Sequence, residues 1–296
     1  MSVWGGAEAA GSLKVLANGC SGVAWQNPPL FRFARHGLGL NRAALVALTR
    51  TWLHHRRLRR GNPELGFTMV VNGHREGPYL AAAVRSAIEA AQAVLHQGIP
   101  VELLLVLDRP DATTRSVARR VLGECRFPHR CLRLRVGDLG LARNAAVRQA
   151  RLPWIAFLDG DDLWAANWLD TVLQAIKGHV APRHCIFHPR YSFYFQQQEA
   201  VLHSPDQAEL ACPEALLVAD NVWTALSCAH RDLLRAHPYQ PNRLREGLGF
   251  EDWSWNRRVV HAGNHHMALA GTCHFIRRQS GSLCRRTEQA DALATP

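Results

Sequence analysis

The chain has 296 residues and lacks the features of a membrane or secreted protein. No window approaches the roughly 18 to 20 uncharged apolar residues that a membrane-spanning helix needs. The N-terminus does not show the basic region, apolar region and cleavage site that follow one another in a signal peptide. We therefore expect a soluble, cytoplasmic protein.

Cysteine and histidine do not form the patterns of a metal site in this sequence. The eight cysteines include no C-x-x-C pair and no zinc-ligand spacing, which suits buried or free thiols in a reducing compartment. The pairs His54-His55 and His265-His266 lack the i, i+4 helical spacing, with an acidic third ligand, that zinc sites prefer. We expect neither residue type to bind a metal.

The composition excludes disorder throughout and places most of the net charge at one end. A hydrophobic content of 47% is enough to bury a core, and the length favours one large domain with or without an appendage. Residues 1–63 contain nine basic side chains and one acidic side chain, which gives +8 of the net +11 and leaves +3 elsewhere. A nucleic-acid-binding protein would carry basic charge on its folded domain as well, so we expect no nucleic acid partner.

Beyond the break "GNPELG" at 61–66, apolar segments alternate with amphipathic ones. Apolar strands separated by helices indicate a parallel sheet that is covered on both faces. Asp111 is placed to cap the second of these helices. The predicted strands span 67–72, 101–107, 131–136 and 153–159, and the predicted helices span 77–98, a segment from about 112, and 140–150.

The stretch "WIAFLDGDDLW", residues 154–164, sets an apolar strand against the carboxylates of Asp159, Asp161 and Asp162. Like charges this close repel and raise one another's pKa unless a cation or hydrogen-bond donors lie among them. A Mg²⁺ or Mn²⁺ ion, which prefers carboxylate oxygen and commonly bridges to phosphates, would neutralise them. Taken alone, the same residues also fit a solvated turn.

Polar groups also follow the first two predicted strands, from Asn72 to Glu76 and at Asp108. Open sheets of this kind bind ligands at the carboxyl ends of their strands. We therefore expect these groups and the aspartates after the fourth strand to lie at one ligand site.

Five motifs, in order, resemble those of family 2 glycosyltransferases, over about Gly66 to Leu283. They are "VVNGHREGPYL" (70–80), "LLLVLDRPDATT" (103–114), "GDLGLARNAAVRQARLPWIAFLDGDDLW" (137–164), "GFEDWSWN" (249–256) and "HFIRRQSGSL" (274–283). The third contains the family's Ala-Arg-Asn helix start and DxD signature, whereas "DRPD" in the second replaces the commoner double Asp and Gly-Ser. The resemblance implies the GT-A fold of nucleotide-diphospho-sugar transferases, an α/β fold with a mixed, mainly parallel central sheet and helices on both faces.

The resemblance also implies a donor site. Asn72, His74, Glu76 and Asp108 would lie near the nucleobase and ribose of a nucleotide-diphosphate sugar, with Arg143 nearby. A UDP-linked sugar is the expected donor, and a saccharide or a lipid-linked saccharide is the expected acceptor. Synthesis of a surface polysaccharide or glycoconjugate is the implied role.

By the same resemblance, Asp161 would bind the Mn²⁺ or Mg²⁺ that bridges the diphosphate, and Asp159 would face the ribose and is the second candidate ligand of that metal. Asp252 would be the general base. Metal at one acid and a base at another favour direct displacement, hence inversion. Glu251 and Asp252 also fit favourable acids in the first turn of a helix. Further candidates are Asp162, Glu251 and Trp253.

The sequence predicts three parts and leaves two other functions open. The parts are a basic, partly helical extension (1–63), a GT-A domain (64–284, with a nucleotide-binding half at 64–165 and an acceptor half at 166–284) and a flexible tail (285–296). One alternative is a haloacid-dehalogenase-like phosphohydrolase, although Leu163 stands where that signature has Thr or Val. The other is a non-catalytic protein that binds an anionic membrane surface through residues 41–60, and such binding is also compatible with an enzyme peripheral to the inner membrane face.

Overall fold

The computed structural model describes residues 64–197, 199–279 and 282–294. The basic extension predicted at 1–63, with the membrane-contacting segment expected at 41–60, lies outside these residues. Within the described part of the chain, no helix has both the length and the apolar character needed to cross a membrane.

Strands and helices alternate through the first half of the described chain, as predicted. The strands are β1 (Phe67–Gly73), β2 (Val101–Asp108), β3 (His129–Leu134), β4 (Trp154–Asp159), β5 (Leu163–Trp164), β6 (Cys185–Gln196), β7 (Ala200–His203), β8 (Cys228–His230), β9 (Leu248–Gly249), β10 (His265–Arg278) and β11 (Leu293–Ala294). The α-helices are α1 (Tyr79–His96), α2 (Ala112–Leu122), α3 (Leu139–Gln149), α4 (Trp168–Gly178), α5 (Pro213–Ala219), α6 (Arg231–Ala236), α7 (Glu251–His261) and α8 (Leu283–Gln289).

One large mixed sheet has the order β3-β2-β1-β4-β8-β6-β10-β5, and β7 pairs with β6. Strands β3, β2, β1 and β4 are parallel to one another. The direction changes at β4, which pairs antiparallel with β8 over only three residues, Trp154 to Ala156. Strand β6 is antiparallel to β8 and parallel to the long strand β10. The sheet is thus mixed and mainly parallel, as expected for the GT-A fold.

Apolar side chains cover both faces of this sheet. On one face, Met69 and Ala156 join the cluster that packs against α1, α2 and α4. On the other face, Val70 and Ile155 join the cluster that packs against α3, α6 and α7. Neighbouring residues of one strand thus bury on opposite faces, which explains why β1 and β2 are apolar without interruption.

Two aspartates begin helices in the first half of the sheet. The Asp111 carboxylate accepts from the Thr114 backbone N–H at 2.7 Å, so the predicted cap of α2 is confirmed. The Asp138 carboxylate accepts from the Leu141 N–H at 2.8 Å and begins α3. Such caps satisfy amide donors that the first helical turn leaves unpaired.

Two predicted segments differ from the structure. The third strand was expected at 131–136 but ends at Leu134, because the backbone N–H groups of Val136 and Gly137 turn to donate to Asp108. A flexible tail was expected from residue 285, yet α8 covers Leu283–Gln289 and β11 pairs with β9. Ser282 begins α8 by accepting from the Arg285 N–H at 3.3 Å, a local signal for a helix.

Candidate functional site

The carboxyl ends of β1 and β4 lie side by side, as the sequence predicts. Asn72 is in register with Asp159 across the pairing of these strands. A Cβ atom at Gly160 would lie 2.6 Å from the Asn72 carbonyl oxygen, closer than real Cβ contacts allow. Glycine at this position therefore allows the turn after β4 to approach β1. The Asn72 side chain is buried, and its amide nitrogen and oxygen have no hydrogen-bond partner among the described residues.

Arg143 connects two carboxylates that are far apart in sequence. Its side chain projects from α3 and is 1% exposed. Nη2 donates to both carboxylate oxygens of Asp159, at 3.1 and 3.2 Å, and Nη1 donates to Glu251 Oε1 at 2.9 Å. Burial by itself lowers the pKa of the guanidinium, but Asp159 and Glu251 outweigh burial and raise it. Arg143 therefore stays charged and holds the end of β4 against the start of α7.

Asp161 and Asp162 lie in a crowded acidic turn. Burial first, and then the charge of Asp159, raises the pKa of Asp161, whose Oδ2 accepts from Gln279 Nε2 at 2.6 Å. Burial first, and then Asp161 and Asp159, raises the pKa of Asp162 well above its ordinary value. Asp162 Oδ1 accepts from the Arg277 backbone N–H at 2.7 Å, so this residue fastens the turn to β10.

Glu76 extends the acidic cluster from the loop after β1. Burial raises its pKa to about 7, and the charges of Asp161 and Asp159 add to that rise. Its Oε2 accepts from the His74 backbone N–H at 2.5 Å. His74 is exposed, and its Nδ1 lies 2.5 Å from the Asp108 carbonyl oxygen. Glu76 thus lies near the aspartate turn, and His74 contacts both Glu76 and the end of β2.

Asp108 shapes the far side of the strand ends. Its two carboxylate oxygens accept from the backbone N–H groups of Val136 and Gly137, at 2.8 and 2.6 Å. The Arg109 guanidinium covers Gly137, where a Cβ atom would lie 2.5 Å from the Arg109 Cζ. Asp108 therefore holds the loop after β3 in place, in addition to any contact with a ligand.

The three acidic and aromatic candidates at the start of α7 have different surroundings. Glu251 is buried, and its Oε2 accepts from Asn242 Nδ2 at 2.9 Å, so both of its oxygens have partners. Burial raises the pKa of Asp252 to about 6, with Glu251 adding to the rise and Arg143 opposing it. Trp253 donates from Nε1 to the Leu217 carbonyl at 2.7 Å. Of the two acids at the start of this helix, Glu251 forms an ion pair with Arg143, whereas Asp252 has no ion pair among the described residues.

The donor set suits a divalent cation that also binds a ligand. No group of three or more potential metal-ligand side chains converges in the described residues. Mg²⁺ is commonly held by one or two carboxylates together with substrate phosphates, and not by a complete protein cage. Asp161 fits this role, because Gln279 hydrogen-bonds only one of its oxygens. Burial first, and then the neighbouring carboxylates, raises the pKa values of both Asp161 and Glu76.

The sequence interpretation did not identify Gln279, or Arg277 as an individual site residue, although both lie in the quoted "HFIRRQSGSL" motif. The Arg277 guanidinium lies 4.0 Å from the centroid of the Tyr79 ring and 4.6 Å from that of Phe195, and its Nε donates to the Asp161 carbonyl at 3.1 Å. Arg143, on α3, forms ion pairs with Asp159 at the end of β4 and with Glu251 at the start of α7. The pairing of β1 with β2 and β4 brings the predicted residues at the ends of these strands together. Their assigned chemical roles remain predictions.

Comparison with known proteins gives the same fold. The glycosyl transferase family 2 model matches residues 68–205. S. aureus TarS 1-349 in complex with UDP-GlcNAc superposes with a TM-score of 0.57 and 14% identity, covering 74% of this chain and 60% of that chain. The same fragment with UDP superposes with a TM-score of 0.56 and 15% identity, covering 73% of this chain and 61% of that chain. GalNAc-T7 with UDP, GalNAc and Mn²⁺ superposes with a TM-score of 0.51 and 16% identity, covering 73% of this chain and 44% of that chain.

This chain spans less than two thirds of the length of each of these structures, and no curated protein sequence matches it. At these identities the structural likeness establishes the fold. Residues 68–205 form a glycosyl transferase family 2 domain, and the chain has the GT-A fold.

Proposed function

We propose that this protein transfers a sugar from a nucleotide-diphosphate sugar to a hydroxyl acceptor, with metal dependence and inversion at the anomeric carbon. UDP is the nucleotide we favour, because the structures with similar folds include complexes with UDP and UDP-GlcNAc. The acceptor is a saccharide or a lipid-linked saccharide, and the role is in surface polysaccharide or glycoconjugate synthesis in the cytoplasm.

The observation that carries this proposal is the double ion pair of Arg143. It holds Asp159, at the donor end of the sheet, to Glu251, which immediately precedes the proposed base. One buried side chain thus fixes the separation between Asp159, at the donor end, and the helix start that carries the proposed base Asp252. A misplacement of about 1 Å in such a pair is enough to cost roughly 10²-fold in rate.

At the donor end, the residues provide hydrogen-bond partners of different kinds. The unpaired amide of Asn72 supplies a donor and an acceptor for the nucleobase or ribose. Glu76, His74 and Asp108 border the same position, and Asp159 faces the ribose while paired with Arg143.

The metal would be held by Asp161, with Asp159 next to it, and when bound Mn²⁺ or Mg²⁺ supplies Lewis-acid stabilisation of the charge on the diphosphate. Asp161 contributes the free oxygen of its carboxylate, and Gln279 orients that carboxylate by donating to the other oxygen. Asp162 acts indirectly, since its carboxylate holds the backbone of Arg277.

At the acceptor end, Asp252 takes the proton of the acceptor hydroxyl. The hydroxyl oxygen forms a bond to the anomeric carbon as the bond between that carbon and the diphosphate oxygen breaks, and attack from the opposite face inverts the configuration. A pKa of about 6 leaves Asp252 charged at neutral pH while making it a stronger base than an exposed aspartate.

The contacts of Asp159 favour this function over a phosphohydrolase. A phosphohydrolase would use the first acid, Asp159, as its nucleophile, but here two hydrogen bonds from Arg143 stabilise the Asp159 carboxylate. Binding to an anionic surface through residues 41–60 remains compatible with the enzyme and stays a separate proposal.

Thermal unfolding with ligands tests the proposal directly. UDP with Mn²⁺ should raise the melting temperature, because a ligand that binds the native state stabilises it by mass action. UDP with a chelator should raise it less, and release of UDP from UDP-GlcNAc should require the metal. An equal rise in melting temperature with the chelator present contradicts the bridging metal. A smaller rise with GDP than with UDP would show that the site prefers uracil as the nucleobase.

A further inference from the structure

A row of amide groups leads from the core to the carboxylate of Asp252. Asn221, in the loop between α5 and β8, donates from Nδ2 to Asp252 Oδ2 at 3.2 Å. Its Oδ1 accepts from Asn256 Nδ2 at 2.8 Å. Asn256 lies one helical turn after Asp252 in α7, and its Nδ2 also donates to the Trp223 carbonyl at 2.9 Å.

These contacts fix which way each amide faces. A backbone carbonyl only accepts hydrogen bonds, so the group of Asn256 that faces Trp223 must be its NH₂. The same NH₂ faces Asn221, which must therefore present its oxygen to Asn256. The NH₂ of Asn221 is thus directed at Asp252, and the assignment follows from the hydrogen-bond chemistry.

The row is anchored in rigid surroundings. Asn256 is 2% exposed and Trp223 is 0% exposed. Trp223 donates from Nε1 to the Pro205 carbonyl at 2.8 Å, and its ring stacks on His266 with centroids 4.1 Å apart and 9° between the planes. Movement of Asn221 away from Asp252 would leave buried amide groups without partners, which is costly.

Both oxygens of Asp252 are oriented by donors. Oδ1 accepts from the Trp253 backbone N–H at 2.9 Å, and Oδ2 accepts from Asn221. Each oxygen keeps a further lone pair for the acceptor hydroxyl. The ionisable groups that act on Asp252 are Glu251 on its own helix, Arg143 on α3 and Tyr239 after α6. Asn221 is a neutral donor from another element, and such a donor favours the charged form of a carboxylate.

We propose that Asn221 is a positioning residue, which Asn256 and Trp223 hold in place so that it orients the Asp252 carboxylate and favours its charged form. This inference rests on the proposed function for its meaning in catalysis. Its structural content, the effect of one amide on one carboxylate, is independent of any substrate.

The test compares Asn221→Ala with the wild-type protein in two measurements. In ¹³C NMR titration of the side-chain carboxyls, the signal that disappears in Asp252→Asn identifies Asp252. Loss of the amide should move the pKa of that signal upward by about one unit, the scale expected for a hydrogen bond to a charged group. In hydrolysis of UDP-GlcNAc with Mn²⁺, the acidic limb of the kcat/KM profile should move upward by the same amount, and kcat should fall about tenfold with unchanged UDP affinity.

Two further variants separate positioning from a general structural effect. Asn221→Asp keeps the shape but places a second carboxylate against Asp252, so it should move the pKa further upward than Asn221→Ala. Asn167→Ala removes an exposed amide that donates to the Gly271 carbonyl at 2.8 Å, away from this row, and should leave the Asp252 titration unchanged.

The outcomes are distinguishable. An Asp252 titration that is the same in wild type and Asn221→Ala overturns the inference, whatever the activity. A shifted titration in a protein that never hydrolyses or transfers a nucleotide sugar supports the amide contact and overturns the proposed function instead.

Discussion

Arg143 and Glu251 lie 108 residues apart in the chain, and the Nη1 atom of the arginine is 2.9 Å from the Oε1 atom of the glutamate. Both side chains are almost completely buried, at 1% and 6% exposure. Removal of one member of such a pair leaves a buried charge without its partner, whereas an exposed pair contributes little. The contact therefore has a measurable consequence for stability.

Arg143→Met should lower the free energy of unfolding by about 3–5 kcal/mol, measured by urea denaturation. Arg85→Met is the matched control, since Arg85 pairs with Glu124 on the surface and should change stability little. The double variant Arg143→Met with Glu251→Gln should lose less than the sum of the single variants, because the buried charge of Glu251 is no longer left without a partner and only the more exposed Asp159 loses its ion pair. A loss below about 1 kcal/mol for Arg143→Met would show that the pair is not important for the fold.

Asp252→Asn and Asp161→Asn should fail in different ways. Asp252→Asn removes the proton acceptor, so turnover should fall by roughly 10²-fold or more while calorimetry shows unchanged binding of UDP and Mn²⁺. Asp161→Asn should weaken the binding of Mn²⁺ and UDP together. Asp170→Asn, at a partly exposed helical acid bonded to Gln97, serves as control for both. Undiminished turnover in Asp252→Asn would remove that residue from the mechanism.

Gly160→Ala should destabilise the fold by about 1–3 kcal/mol and weaken UDP binding. The added Cβ would lie 2.6 Å from the Asn72 carbonyl and 3.2 Å from the Gly73 Cα, so the end of β1 must shift. Gly178→Ala is the control, because a Cβ atom at this helical position meets nothing within 4 Å. Thermal unfolding with and without UDP compares the two, and equal behaviour would contradict the close approach.

His274→Phe should make the protein less sensitive to acid. His274 is buried beside Trp164 and Trp168, its ring nitrogens have no partner among the described residues, and burial lowers its pKa well below 6.5. The unfolded chain takes up a proton near pH 6.5 and the native chain does not, so the histidine destabilises the fold as the pH falls below that value. Relative to His274→Phe, the wild type should lose about 1 kcal/mol between pH 6.5 and 5.5, with a slope that approaches about 1.4 kcal/mol per pH unit at lower pH.

Urea denaturation at pH 7.5, 6.5 and 5.5 measures this difference. The comparison between variants is essential, because the raised pKa values of Glu76 and Asp252 act in the opposite direction in both proteins. His96→Gln, at an exposed helix end, is the control for the loss of a histidine at the surface. If the free energies of unfolding of His274→Phe and of the wild type fall equally with pH, the prediction is contradicted.

The parts of the fold that depend on neighbouring residues were predictable from the sequence. Apolar runs gave β1, β2 and β4, and the cap at Asp111 gave the start of α2, because periodicity and capping act over a few residues. The edge strand β3 was displaced by two residues, since its end is set by hydrogen bonds to Asp108 from the loop that follows.

The positions of the candidate site residues were more predictable from the sequence than their contacts, and their roles stay predictions. Strand ends located Asn72, Asp108 and the aspartate turn, and the family resemblance added Arg143 and Asp252. The partners Gln279 and Asn221 meet their carboxylates across 118 and 31 residues, and no local pattern encodes such contacts. Only the folded chain shows that Asp162 serves the backbone of β10 while Asp161 keeps an oxygen available.

The short antiparallel pairing between β4 and β8 also bears on how such proteins diversify. The proposed nucleotide end of the site is built on four parallel strands, whereas Asp252 lies on α7, beyond the point where the family match ends at residue 205. The contacts that join the two parts near the site include the three paired strand residues, the ion pair of Arg143 with Glu251, the hydrogen bonds between Asn144 and Tyr239, and that from Gln279 to Asp161. Substitutions after residue 205 should therefore spare the proposed donor end only where they keep these contacts, so that the acceptor half is free to change everywhere else without disturbing the aspartate turn.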